Sequence, residues 1–591
     1  MSNILGIGGY SHDASAALYQ DGVMVAAAEE ERFTRVKHQN GWPRKAIDFC
    51  LSHAGLTAAD VDHVAFYWKP ASWAHLRGLA DRLRHLPAHP AFSAGFLLHS
   101  TYDTAMYVYH LRRQRRLSGG KARIHYVRHH DCHAASVYFT SPVDDAAVLT
   151  IDSRGEWATT VRYRGRGNRL TEIDRVNLPN SIGNVYLCTT NFLGFRTGDE
   201  YKVMGLAAYG EPTFADKFRQ IVRLTSDGRY TIDESFLKVQ HSPGRFEGYV
   251  APKFLDLLGP ARTPDSEITQ RHKDIAASLQ LVLEETCFHM MRDLHARTGA
   301  RTLCLSGGVA QNSVMCGKIT RETPFEDVFI HPASGDNGTS LGAAAWVHNQ
   351  VLGLPRGPVL TTAYHGPEYS EAAIRKQLEI AKLPHTRPHD LVEEVANRII
   401  AGRIIGWFQG RMEWGARALG NRSILADVTN PEMTNIVNRY VKHREDFRPF
   451  APAMLAERAA EYFDMDGETP YMLHVVPANA KAKATMPAIV HVDDSARLQT
   501  VSREQNPLFH ALITRLGEKT GVPCVLNTSF NIKGEPMVCS PMDAIKCWAS
   551  TGIDVLVLGP YLLEKPPVDG SPRVVGDTDR PGTVEPAVGL A

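Results

Sequence analysis

The chain has 591 residues, 43% hydrophobic and 22% charged, with 65 Lys and Arg against 64 Asp and Glu for a net charge of +1. That length predicts roughly two to four domains with separate cores, and the balanced charge excludes a global attraction to nucleic acid or an acidic membrane. Nine cysteines without a C-x-x-C pair fit reduced thiols rather than a zinc ribbon, and with no signal-peptide pattern or bilayer-length apolar run a cytoplasmic protein is expected.

In chain order, "ILGIGG" reads as a short buried strand, "SHD" as a polar turn, "ASAALYQ" as a second strand, and "DG" as a tight turn into "VMVAAAEEE". The pattern returns at 146 as "AAVLTID", "SRGE", "WATTVRYR" and "GRGNRL", which predicts an internal repeat of a whole subdomain. Two such hairpins, with turn N–H groups facing a cleft, predict an actin-like or sugar-kinase-like architecture. Between them, 43–118 reads as mostly helical, and Arg112, Arg113, Arg115 and Arg116 of "HLRRQRR" as a solvated helix end.

A long amphipathic helix is predicted over 267–299, stopping at Gly299. "RTLCLSGGVAQNSVMCGKI" reads as a strand running into Gly307-Gly308 and then a helix. "DVFIHPA", "SGDNG" and "TSLGAAAWVHNQ" repeat that logic and put Asp336 at a strand's carboxyl end. Proline and glycine place a linker at 353–368 between domains at 1–352 and 369–564, with a disordered tail at 565–591. In the second α/β domain "DLVEEVANRIIAG" is a helix, "RIIGWFQG" and "VPCVLNTSF" are strands, and "SPMDAIKCWAST" is a helix capped by Ser540 with Pro541 at its first position. "DVLVLGP" is expected to close the domain.

The chemistry starts in "HHDCHAASVY". His129 and His133 are four apart, on one face of a helix, as a metal requires. Position 130 is His, so the glutamate of a zincin is missing, and H-x-x-x-H alone is more often structural. Asp152 at the end of the second hairpin's strand and Asp336 in "SGDNG" change that balance, because the fold would bring both to the same cleft. Mixed imidazole and carboxylate donors suit Fe(II), Mn(II) or Zn(II) better than Ca or Mg. Asp152 also reads as an electrostatic partner, and His130 and Asp131 as outer neighbours of the ligands or surface residues. His12, in the first turn, is either a general base or a turn residue that bonds backbone. Lys202 reads as an ion-pair partner of Glu200.

The second domain carries Arg411, Arg417 and Arg422 among glycines, then Lys442, Arg444, Arg448 and Arg497, with Asn527, Ser529 and Lys533 just after a strand. Each alone is an ordinary surface or ion-pair residue. Together they suit a phosphate-rich substrate, because guanidinium forks match phosphate oxygens.

The pieces "GIGGYSHDASAAL", "EEERFTRVKH", "HHDCHAAS", "IDSRGEWATT", "YKVMGLAAYG", "SGGVAQNS", "GDNGTSLGAA", "QGRMEWGARALGNRSI", "VKHREDFRPFAP" and "VLNTSFNIKGEP" resemble the O-carbamoyltransferases of antibiotic and nodulation-factor biosynthesis, of the tobramycin carbamoyltransferase type, over 3–564. The resemblance implies an actin-like N-terminal domain fused to a YrdC-like C-terminal domain. The latter would make carbamoyladenylate from carbamoyl phosphate and ATP with Mg. The former would transfer the carbamoyl group to a hydroxyl of a natural product, a sugar or macrocycle, using Fe(II) or Mn or Zn in its place.

Carried over residue by residue, the resemblance implies His129, His133, Asp152 and Asp336 as metal ligands and His12, with Asp152, as catalytic. It implies Lys37, Gly308 and Asn312 around carbamoyladenylate, and Arg417, Lys442, Arg448, Arg497, Asn527 and Ser529 around carbamoyl phosphate and ATP. No nucleic acid or membrane partner is implied, and a homodimer is left open. One departure stands out: Ser153-Arg154-Gly155 follows Asp152 where a glycine-rich turn is expected. Acceptor contacts are expected from 43–118 and 211–266. The competing readings are a tRNA threonylcarbamoyladenosine-type modification enzyme and an actin-like regulatory ATPase. The neutral charge speaks against the first and the arginine set against the second. A hydrogenase-maturation carbamoyltransferase would bring zinc modules that the cysteine spacing excludes.

Overall fold

The computed structural model describes residues 2–9, 12–69, 120–242 and 245–565. Arg112, Arg113, Arg115 and Arg116, most of the helical segment expected at 43–118, and the tail beyond 565 lie outside the described residues.

The first sheet holds β1 (Asn3–Gly8), β2 (Ser15–Gln20), β3 (Val23–Glu29), β4 (His63–Phe66) and β5 (Arg123–Tyr126), in the order β3-β2-β1-β4-β5. β1 runs antiparallel to β2 and parallel to β4, and β4 is parallel to β5. The second sheet contains β6 (Asp145–Ile151), β7 (Ala158–Arg166) and β8 (Arg169–Asn177). Two short hairpins follow, β9 (Val222–Leu224) with β10 (Tyr230–Ile232) and β11 (Leu237–Ser242) with β12 (Arg245–Val250). β13 (Thr302–Ser306) and β14 (Asp327–Ile330) then complete the order β14-β13-β6-β7-β8. β6 is antiparallel to β7 and parallel to β13, so strand order and direction repeat those of the first sheet. The duplication expected from two hairpins is thus a duplication of complete five-stranded sheets.

A long helix, Gln270–Thr298, packs on the second sheet and ends with Gly299 in the left-handed region at φ 60°. Arg162 is buried at its side and pairs with Asp174 at 2.6 Å and Asp293 at 2.7 Å, tying β7, β8 and this helix together. The helix Thr339–Trp346 lies against the first sheet and against the helix His129–Tyr138. Its "SLGAAA" face permits unusually close backbone approach. A Cβ on Gly342 would lie 1.8 Å from the Cys132 carbonyl oxygen, and one on Gly6 of β1 would lie 1.8 Å from that of Ser340.

The last sheet is mixed and seven-stranded. Its members are β15 (Ile405–Phe408), β16 (Arg422–Ala426), β17 (Ala451–Leu455), β20 (Gln499–Val501), β21 (Cys524–Ser529), β22 (Val555–Leu558) and β23 (Tyr561–Glu564). They run in the order β20-β17-β21-β16-β15-β22-β23. β22 does not close the domain: β23 pairs antiparallel outside it. Helices Leu391–Ile400 and Pro507–Thr520 cover one face, and Glu371–Ala381 and Pro541–Ala549 the other. The capping box of Ser540 with Asp543 is present.

Residues 353–368 are bonded to both halves. The Leu360 amide donates to the Thr140 carbonyl at 2.9 Å, while the Trp414 amide donates to that of Ala363 at 2.7 Å. A small separate hairpin, β18 (Val475–Pro477) with β19 (Ser495–Arg497), docks on the N-terminal half at Gly317, where a Cβ would lie 1.9 Å from the Val475 carbonyl oxygen.

Gly317→Ala should destabilise the protein by about 1–3 kcal/mol, because neither backbone can yield without moving the hairpin that carries Arg497. Gly205→Ala, whose Cβ would meet only Pro449 Cδ at 3.9 Å, is the control and should be neutral or stabilising. Thermal unfolding of the two variants, side by side, reads the difference.

Candidate functional site

The helix His129–Tyr138 is buried along its whole length, including both imidazoles. Asp152 follows β6, and Asp336 opens a turn, Asp336–Gly338, ahead of the helix Thr339–Trp346. These four side chains converge. His133 Nε2 lies 3.0 Å from His129 Nε2, 3.1 Å from Asp152 Oδ2 and 3.5 Å from Asp336 Oδ1. His129 Nε2 lies 3.7 Å from Asp152 Oδ2 and 3.6 Å from Asp336 Oδ1. Four donors held by an ion at 2.0–2.1 Å would be spaced by about 3.4 Å in a tetrahedron. The observed separations bracket that value, so the cluster fits a divalent cation.

The surroundings fix the donors. Asp152 accepts the amides of Ser153 at 2.6 Å and Gly308 at 3.0 Å, and His133 Nδ1 faces Ser306 Oγ at 3.3 Å. The His129 ring packs edge-on against Tyr67 and Trp68, each at 5.6 Å. Burial pushes the Asp152 carboxyl up, but hydrogen bonds with His129 and His133 outweigh it and hold the group well below the carboxylate range. Burial lowers His133, yet Asp152 and Asp336 raise it further, to about 9. His130 and Asp131 are not surface residues. His130 bonds Thr150 Oγ1 at 2.8 Å and the Ala158 carbonyl at 3.0 Å, while Asp131 pairs with Arg128 at 2.6 Å and accepts from the Tyr163 hydroxyl at 2.9 Å.

His12 stands at the mouth of this cluster, half exposed, with Nε2 3.7 Å from Asp336 and Nδ1 2.9 Å from Asp13. Arg154 lies over the Trp68 ring at 5.8 Å, beside His129. Gly308 contributes its amide to Asp152. The Asn312 side chain is engaged with Gln280, at 2.8 and 3.0 Å, and with the Met315 amide at 3.0 Å.

A second concentration of charge lies in the C-terminal half. Burial, with the nearby Arg448 acting in the same direction, lowers Arg417 to about 10 and Arg444 to about 9. Arg497 falls well below its ordinary value through burial and through Arg417, Arg444 and Arg448. The Nε atoms of Arg417 and Arg497 and the Oδ1 of Asn527 are buried without a hydrogen-bond partner. Such orphans are costly unless a ligand completes them. Lys442 is differently placed: its ammonium bonds the Ser529 carbonyl, Asn531 Oδ1 at 2.9 Å and the Asn531 carbonyl at 3.1 Å, bracing the loop after β21. The Ser529 hydroxyl donates to Asn531 Oδ1 at 2.7 Å.

Arg422 and Arg411 do not join the set. Arg422 is fully buried, donates to the carbonyls of Gln409, Pro367 and Gly410, and stacks on Phe408 at 3.6 Å. Arg411 donates to the carbonyls of Val25 and His365, bridging the two halves. Lys202 pairs with Asp199 at 3.0 Å and Glu445 at 3.1 Å, not with Glu200.

Between the two concentrations stands Tyr201, which the sequence reading passed over. Lys37 lies 5.6 Å from its ring centroid and Arg448 4.8 Å, and its hydroxyl donates to Asp199 at 3.0 Å. The signal available was its place in "GDEYKVMGLAAYG", a glycine-bounded segment in which Lys202 drew the attention instead.

Two outcomes follow from this geometry. Protein loaded anaerobically with Fe(II), Mn(II) or Zn(II) should retain metal through desalting, and His133→Ala should bind it at least about tenfold more weakly, as read by elemental analysis. Arg497→Met should raise the thermal midpoint of the free protein, because it removes a buried cation crowded by three others. The same change should abolish stabilisation by pyrophosphate, which at a hundred times its Kd should otherwise add about 2.7 kcal/mol.

Comparison with known proteins agrees with this two-part arrangement. Residues 3–345 match the family model described as carbamoyltransferase N-terminus, and 396–565 the one described as carbamoyltransferase C-terminus. The uncharacterised protein sll1178 of Synechocystis sp. is 39% identical, covering 96% of this chain and 97% of its own. Nodulation protein NolNO of Sinorhizobium fredii is 38% identical over 94% of this chain and 79% of its own. Among solved structures, T. kodakarensis HypF aligns over 60% of this chain and 48% of its own at a TM-score of 0.31 and 14% identity, too distant to bear on function. With both halves matched in order and a relative that similar along its whole length, the chain belongs to the carbamoyltransferase family and is an enzyme of that class.

Proposed function

We propose that this carbamoyltransferase is ATP-dependent and works in two half-reactions on two sites. In the C-terminal half, taken as a YrdC-like domain, carbamoyl phosphate is hydrolysed to carbamate and phosphate. A carbamate oxygen then attacks the α-phosphorus of Mg-bound ATP, breaking the bond to the β-phosphate and releasing pyrophosphate. In the actin-like N-terminal half a hydroxyl oxygen attacks the carbamoyl carbon of the adenylate, AMP leaves, and the hydroxyl proton passes to a base. The acceptor is a natural product bearing a hydroxyl, a sugar or macrocycle.

The observation that carries this reading is the set of orphaned polar atoms, Arg417 Nε, Arg497 Nε and Asn527 Oδ1, inside a cluster of four arginines in a protein whose net charge is only +1. A bound anion would relieve the crowding in such a cluster, and several guanidinium forks suit phosphates. Arg448 serves the phosphates and, through Tyr201, faces Lys37, so the adenylate's exit leads toward the N-terminal cleft.

His129, His133, Asp152 and Asp336 would hold the metal, for which Fe(II) suits the mixed donors, with Mn or Zn in its place; bound there, it supplies Lewis-acid polarisation of a carbonyl or phosphate oxygen. His12 is the proposed base. Its Nδ1 is oriented by Asp13 at 2.9 Å, which leaves Nε2 facing the cluster. Gly308 presents backbone without side-chain bulk, and Lys37 offers a cation to the phosphate. Carbamoyladenylate is a mixed anhydride open to hydrolysis, so a passage lined by Lys37, Tyr201 and Arg448 limits its loss.

An acceptor-free assay with carbamoyl phosphate, ATP and Mg tests the division of labour. Wild type and His133→Ala should release pyrophosphate at similar rates, whereas Arg448→Ala should be slower by about 10²–10³-fold. Wild type that releases none, or His133→Ala failing alongside Arg448→Ala, would sink the reading.

A further inference from the structure

Ten residues, "EEERFTRVKH" from Glu29, the last residue of β3, to His38, reach both sites, yet only Lys37 among them has a place in the chemistry above. Glu29 and Arg32 are buried, at 3% and 5% exposure. Arg32 donates to Glu29 Oε1 at 3.2 Å and Oε2 at 3.3 Å, and to the Gly415 carbonyl at 2.9 Å. It also pairs with Glu31 at 3.0 Å. Glu29 Oε1 accepts two further bonds, from Asn337 Nδ2 at 3.0 Å and from the Gly415 amide at 3.0 Å.

Those two partners carry the argument. Asn337 directly follows Asp336, and Gly415 lies two residues before Arg417. One carboxylate oxygen therefore holds the loop of the His/Asp cluster and the loop of the arginine cluster at once. The loops also touch directly: Gly415 has φ +126°, and a Cβ there would lie 2.5 Å from the Pro332 carbonyl oxygen. The same short helix, Glu31–Thr34, is fixed from other sides. Arg35 donates to the carbonyls of Met537 and Pro536 in the C-terminal half. Glu30 accepts the Lys45 and Ala46 amides at 3.2 and 2.8 Å, and Glu31 accepts the His38 amide at 2.7 Å.

An ordinary buried ion pair needs only its own partner. This one spends its spare acceptor and donor capacity on backbone and amide groups beside two different sites. We propose that Glu29 and Arg32 are a positioning pair that sets the register between the Asp336 loop and the Arg417 loop, so that carbamoyladenylate formed on one side is received on the other without release. The proposal rests on the two-site reading above. A misplacement of about 1 Å between reacting parts is enough to cost of order a hundredfold, so register matters more here than pair strength.

Labelled carbamoyl phosphate with ATP and Mg gives two readouts: pyrophosphate formed, and the fraction of labelled carbamoyladenylate that passes an ultrafiltration membrane. Glu29→Gln keeps shape and one acceptor but loses the charge-assisted grip. It should form pyrophosphate within about twofold of wild type while the filtrate fraction rises about tenfold. Arg32→Lys keeps the charge yet cannot span Glu29 and Gly415 with one fork, and should move the filtrate fraction the same way. If Glu29→Gln does not fold, Arg32→Lys decides alone. An unchanged filtrate fraction overturns the proposal, as does a fall in pyrophosphate formation that matches the loss of retention. Wild type that forms no pyrophosphate overturns the two-site reading itself, which is a separate and recognisable result.

Discussion

The candidate metal cluster depends on a packing constraint: backbone must meet backbone on two sides of the helix Thr339–Trp346. Gly342 is the only residue that fits against the Cys132 carbonyl, and Gly6 the only one that fits against that of Ser340, each with a hypothetical Cβ at 1.8 Å. Cys132 precedes His133 and the helix begins just after Asp336, so this contact sets the distance from His133 to Asp336 at 3.5 Å. A side chain at Gly342 would push the Cys132 backbone, and with it His133, away from the helix that follows Asp336. The alanines that follow Gly342 keep the same surface shallow. The fold spends small residues here to obtain proximity.

The arginine cluster shows the opposite economy. Burial and mutual repulsion depress Arg417, Arg444 and Arg497, and Glu445 is the acidic partner of Arg448 at 3.5 Å. A protein selected for stability alone would not bury that combination. The strain is local, since the chain as a whole is almost neutral. Charge count over the whole chain therefore says little about an anion site; crowding of cations whose polar atoms lack partners says more.

Much of this was legible in the sequence. Two hairpins with polar turns announced a repeat, and the sheets repeat strand for strand. The convergence of His129, His133, Asp152 and Asp336 followed from placing each at a strand end or helix face near one cleft. What was not legible was the difference between arginines. Arg411, Arg417 and Arg422 share one glycine-rich segment and read alike. Their roles separate only through long-range surroundings: Val25 and His365 for Arg411, Pro367 and Phe408 for Arg422, and Tyr201 and Arg448 for Arg417. Glu29, Arg32 and Tyr201 were missed for the same reason, since a residue that joins two halves has no local periodicity to betray it. The pairing of Lys202 with Glu445 rather than the neighbouring Glu200 is a further case.

The two concentrations of charge are chemically unlike, which bears on why they are separate. Asp152 and Asp336 present carboxylates to their cleft, and without a bound cation they would repel an adenylate phosphate. On the proposed reading the arginine cluster takes the phosphates, with none of the His/Asp cluster's residues among its own. On the proposed reading, formation of the adenylate is then independent of the His/Asp cluster, while its reception is not. Lys37 and Arg448 both lie over the Tyr201 ring in the ground between, so on the same reading an anion leaving one site would meet the Lys37 ammonium before the other holds it. On that reading, keeping the carboxylates apart from the arginines leaves each set free for its own ligand, a divalent ion in one cleft and phosphates in the other.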